Sequence, residues 1–140
     1  MRRPESKHRA RALQLLYAWE VGGGGTVPAV GSGLVRLAEH PAEMIDQLAP
    51  AEILAQAILA DMAALDREAS AAAEHWRWER IGVVERNVLR IAVYELKGNV
   101  VPPKVAINEA IHLAQLFGGA KSAAFVNGIL DRVARTLGRL

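Results

Sequence analysis

Basic side chains crowd the start of the chain. Arg2, Arg3, Lys7, His8, Arg9 and Arg11 all stand among the first eleven residues. Guanidinium groups grip phosphate through paired N–H donors and stack on unpaired bases. An arginine-rich segment at a helix start therefore suits RNA, on which such segments become ordered. A solvated, frayed terminus is the plainer reading of the same residues. A second candidate lies far downstream, where Phe125 follows Lys121 by one helical turn. An aromatic ring beside a cation suits base stacking, although Phe125 equally fits the edge of a wide apolar stripe. Glu85-Arg86 offers either ordinary solvated charge or a polar face for a partner. Tyr17 and Trp19 are contacts or core-edge residues with a wet polar tip. Trp76 and Trp78 read as structural.

No pattern of catalytic chemistry emerges beside these. His8, His40, His75 and His112 make no i, i+4 pair, so no helical metal site is predicted. Gly119-Ala120-Lys121-Ser122 looks like part of a phosphate loop. It lacks the upstream glycine and follows a helix where that motif requires a strand. The run Gly22–Gly25 lacks dinucleotide-binding spacing. No two carboxylates are singled out as an acid and a base. The chain has no cysteine, which excludes disulfides, thiolate zinc sites and cysteine nucleophiles. The expectation is a non-enzyme without cofactor or metal.

The formal charge of +2 is unevenly spread. Residues 1–21 hold five Lys or Arg against two Glu, and the remainder is slightly acidic. A basic arm on a near-neutral body is a footprint for a polyanion. At 140 residues the chain fits one domain, 1–140, with a basic arm at 1–11. Half the residues are hydrophobic but only 5% are aromatic, which favours helix packed on helix. No apolar run approaches the ~20 residues of a membrane span. The N-terminus lacks the apolar stretch of a signal peptide, so the chain reads as cytoplasmic.

The elements that position these residues are helical. Ser6 is a suitable N-cap for a helix to Val21, with Ala10, Leu13, Tyr17 and Val21 as its stripe. Four glycines end it, and 22–33 reads as a flexible loop. A short helix is predicted over Leu34–His40, and Pro50 opens another that buries Leu54, Ile58 and Met62. Asp66 caps a further short helix. Val84–Lys97 and Lys104–Phe117 are strongly periodic, and Ser122 caps a last helix with Val126, Ile129, Leu130 and Val133. The fold expected is all-α, a compact bundle of about six to seven helices.

Residues 85–135 resemble the C-terminal half of NusB proteins. The ordered motifs are Glu85-Arg86, Leu89-Arg90-Ile91-Ala92, Tyr94-Glu95-Leu96, Val105-Ala106-Ile107-Asn108-Glu109-Ala110, Phe117-Gly118 and Phe125-Val126-Asn127-Gly128. The N-terminal stretch with Ala12-Leu13-Gln14 and Leu16-Tyr17 is also similar, and the middle matches only in helical pattern. The resemblance implies an antitermination factor that binds boxA-type single-stranded RNA with NusE and acts within the RNA polymerase antitermination complex, notably on ribosomal RNA operons. It implies RNA contacts at Arg2, Arg3, Lys7, Arg9, Arg11, Lys121 and Phe125, and partner contacts at Tyr17 and Glu85. It is compatible with a homodimer. A related domain also precedes some ribosomal RNA cytosine methyltransferases. The chain ends at Leu140, so a stand-alone factor is expected. A helical interaction module with an incidental basic arm is the third reading.

Overall fold

The computed structural model describes residues 4–140. Its helices are α1 (Pro4–Val21), α2 (Val27–Leu37), α3 (Pro41–Ala60), α4 (Met62–Ala72), α5 (Val83–Gly98), α6 (Pro103–Gly118) and α7 (Ala120–Thr136). A single 3-10 turn, Trp78–Arg80, precedes α5. No strand occurs among the described residues. The all-α class and the number of helices agree with the sequence. The chain forms two compact units, Met1–Ala60 and Asp61–Leu140.

In the first unit α1 packs on α2 and α3, and α2 packs on α3. The buried side of α1 is Ala12, Leu13, Leu15 and Leu16, whereas Tyr17 and Val21 are exposed. The buried face is rotated from the predicted stripe: the wholly apolar Leu15 and Leu16 are buried in place of Tyr17, which carries a polar hydroxyl, and of Val21 at the helix end. Ser6 lies inside the helix and is buried, so it is not the cap expected.

The connection after α1 is shorter than the predicted loop. It ends at Thr26, whose Oγ1 accepts from the Ala29 amide at 3.3 Å as the N-cap of α2. Thr26 followed by Val27-Pro28 is a helix start that the surrounding glycines disguised. Gly31, inside α2, faces α3: a Cβ there would meet Glu52 Oε1 at 2.5 Å, so the Glu52 side chain would have to move, while Leu15 stands at ordinary contact distance. Pro50 does not open a helix but sits within α3, which begins at Pro41. An interior proline costs ~3 kcal/mol of helix stability. Here Met44, Leu48, Ala51, Ala55 and Ile58 all bury on one helix, and that apolar area outweighs it.

In the second unit α5 is the central element, packed against α4, α6 and α7. Its residues from Asn87 to Val93 are buried without a break. Burying Arg90 in that run requires partners. Its Nε and Nη2 reach Asp66 Oδ1 and Oδ2 at 2.7 and 3.0 Å, and Nη1 reaches Asn87 Oδ1 at 2.8 Å. The Trp78 ring lies 5.7 Å from the guanidinium carbon. Asp66 is therefore a core ion-pair partner inside α4, not the helix cap predicted. Asn99 ends α5 in the left-handed conformation, φ 57°, as Gly98-Asn99 suggested. Arg139 donates to the carbonyls of Leu96 and Val101, tying the C-terminal end to the α5–α6 connection.

Candidate nucleic-acid interface

The basic arm is mostly helix α1. Arg2 and Arg3 lie outside the described residues. Lys7 is exposed and Arg11 half-buried. Four residues apart, they share a helix face. Arg11 Nε donates to Gln47 Oε1 at 2.5 Å and Nη1 to Gln14 Oε1 at 2.9 Å. Neutral amide partners orient the guanidinium while leaving its charge uncancelled. Arg9 differs from the surface position expected: it is only 8% exposed and is engaged within the fold. Residues turn by about 100° each around a helix, so Arg9 points away from the Lys7–Arg11 face. Tyr17 is 43% exposed, further along α1.

The second set of candidates gathers around the N-terminal end of α7. Glu85, in the first turn of α5, accepts a hydrogen bond from Ser122 Oγ at 2.5 Å. Ser122 was expected to cap α7, but the helix begins at Ala120 and the hydroxyl serves Glu85. Gly82 and Gly118 both border this pair. A side chain at 118 would meet Ser122 Cβ at 2.7 Å and Glu85 Oε2 at 2.9 Å, and the Glu85 carboxylate fills the space a side chain at 82 would need. Gly119 joins α6 to α7 at φ 89° and ψ −178°, a conformation essentially restricted to glycine.

Lys121 follows on the exposed surface, and Phe125 is half-buried one turn on. Phe125 makes an edge-on contact with Trp76, centroids 5.2 Å apart and planes at 84°. Trp76 is 60% exposed, so it is not the structural residue expected, although Trp78 is. The one sequence signal for Trp76 was an aromatic residue in a charged, helix-free stretch, Glu74 to Arg80. The structure thus gathers Glu85, Ser122, Lys121, Phe125 and Trp76 at one end of the second unit, while Lys7, Arg11 and Tyr17 belong to the first. Among the described residues no three His, Asp or Glu side chains converge as metal ligands. No single helix is long and apolar enough to cross a membrane.

Comparison with known proteins joins these features to a family. The NusB family model matches residues 6–135. The transcription antitermination protein NusB of Sorangium cellulosum is 40% identical over 136 residues, covering 96% of this chain and 94% of that protein. The protein of the same name from Myxococcus xanthus is 37% identical, covering 94% of each. Among solved structures, NusB from T. maritima superposes with a TM-score of 0.77 at 31% identity, over 96% of this chain and 93% of the other. A crystal structure of antitermination factors NusB and NusE in complex with dsRNA shares the fold, with a TM-score of 0.76 at 23% identity over 97% of this chain and 99% of its counterpart. With motifs, fold and full-length similarity in agreement, the chain belongs to the NusB family.

Proposed function

We propose that this chain is a non-catalytic, cytoplasmic antitermination factor that binds boxA-type RNA together with NusE and supports read-through by RNA polymerase. The observation that carries the reading is the 40% identity, over 96% of the chain, to a protein named for transcription antitermination. The NusB–NusE–RNA complex of a protein with the same fold supports the choice of partners. The site chemistry is compatible with it. Lys7 and Arg11, with Arg2 and Arg3 ahead of them, supply phosphate contacts from the first unit. Lys121 and Phe125 supply a phosphate contact and an aromatic surface from the second. Tyr17 and Glu85 are proposed as partner contacts. Glu85 would act from a carboxylate already oriented by Ser122. Arg9 is assigned to the packing of α1.

Fluorescence anisotropy with a labelled boxA-type RNA and a scrambled control, with and without NusE, tests the proposal. Tighter, boxA-selective binding in the presence of NusE is expected. Weak binding that ignores both sequence and NusE would leave a helical interaction module with an incidental basic arm.

A further inference from the structure

Trp76 stands out because a large aromatic residue is left mostly in water while the structure holds it in place. Single exposed hydrophobic residues are common and mean little alone. Here the surroundings are organised around the ring. The Trp76 amide donates to the Ala73 carbonyl at 2.9 Å, and the Ala73 amide in turn bonds the last turn of α4. From α7, Arg132 Nη1 donates to the Ala72 carbonyl at 3.0 Å. The turn carrying Trp76 is therefore tied to α7 twice, through its backbone at Arg132 and through its ring at Phe125. Arg132 and Phe125 are seven residues apart, two helical turns, and so lie on one face of α7.

That face reads Lys121, Phe125, Gly128, Arg132. Gly128 is exposed, and a Cβ there would meet nothing within 4 Å. Bare backbone thus lies one turn beyond the aromatic pair. The perpendicular arrangement also matters. Two rings at 84° cannot cover each other's faces fully, so Phe125 leaves at least one face of the Trp76 indole uncovered. Charge is not the main attraction along the turn itself, since Glu74 and Glu79 balance Arg77 and Arg80.

We propose that Trp76 is a base-stacking platform of the RNA site: its uncovered face receives one unpaired base, Phe125 supports the ring edge-on, and Lys121 takes an adjoining phosphate. This rests on the RNA-binding reading above. It makes Phe125 chiefly a positioning residue and Trp76 the stacking surface. A ring already held by the fold loses little freedom on binding, which favours affinity.

The test is a double-mutant cycle between protein and RNA. Single-stranded boxA-type RNAs, each with one abasic position, are titrated by anisotropy across a salt series against the unaltered protein, Trp76→Ala, Trp76→Phe and Lys121→Ala. Trp76→Ala is expected to weaken intact RNA by roughly ten- to hundredfold with an unchanged salt slope. Trp76→Phe should recover most of the loss, and Lys121→Ala should flatten the slope. At one abasic position the unaltered protein should bind as weakly as Trp76→Ala, which itself should be indifferent to that position. Circular dichroism checks that the variants fold alike. If Trp76→Ala is misfolded, Trp76→Phe and the abasic scan on the unaltered protein decide. Tight RNA binding by the unaltered protein, with no loss on Trp76→Ala or at any abasic position, overturns the platform and leaves the functional reading intact. No RNA binding by the unaltered protein overturns both.

Discussion

Lys7 and Arg9 are two residues apart and carry the same charge, yet they face different surroundings. Lys7 reaches solvent, whereas Arg9 is packed into the fold. Composition counts both as one electrostatic arm, because net charge carries no direction. Arg9→Ala should therefore lower thermal stability by roughly 1–3 kcal/mol, through lost packing and polar groups left without their partner. Lys7→Ala should leave the melting temperature almost unchanged and reduce the salt slope of single-stranded RNA binding by about 0.7, the value of one phosphate contact. Melting curves and a salt series separate the two. A flattened slope with unchanged stability for Arg9→Ala would return Arg9 to the RNA surface. Arg90 makes the same point more severely. Its side chain is 6% exposed and is held by Asp66 and Asn87. Asp66→Ala removes the carboxylate paired with that buried charge, and ~3–5 kcal/mol of stability should be lost, visible as a much lower denaturant midpoint.

At the scale of elements, local signals located the helices well where they were strong and poorly where two signals competed. Asn99 stops α5 as read, since a left-handed residue after a periodic segment is decided within a few positions. The helix start at Thr26 lies inside the predicted 22–33 loop, and Pro50 lies inside the helix it was expected to open, because glycine and proline weigh heavily in any local window, while the tertiary burial that overrides them comes from residues far along the chain. The glycines of the α6–α7 region put the contrast to a test. Gly119 has φ 89° with extended ψ, so Gly119→Ala should destabilise by ~1–3 kcal/mol through backbone strain. Gly128 lies within α7, with open space where a Cβ would stand. Gly128→Ala should stabilise by ~0.5–1 kcal/mol, since alanine loses less backbone freedom in a helix. Thermal melts of the two variants should move in opposite directions. A loss of stability at 128 would show that the open space is needed by the fold itself.

At the scale of the whole molecule, the proposed function has the basic residues contacting one polyanion. With Arg9 withdrawn, the proposed phosphate contacts are Arg2, Arg3, Lys7, Arg11 and Lys121. Single-stranded RNA binding should then show a slope of roughly −3.5 in log K against log salt concentration. A slope near zero, measured from about 50 to 200 mM salt, would remove the arm from binding. Taken alone, the sequence determined the helical class, the positive surplus at the N-terminus and the ordered motifs from Glu85 onward that carry the family resemblance. These are properties of composition and of neighbours within a few turns, where helical geometry relates position to direction. Only the tertiary structure decided that Arg9 is buried, that Asp66 serves Arg90 and not a helix end, and that Ser122 orients Glu85. It alone brought Trp76 onto Phe125. Those pairings join residues 24 to 49 positions apart, and they depend on how loops close and which faces pack. Periodicity along a single helix contains no information about that.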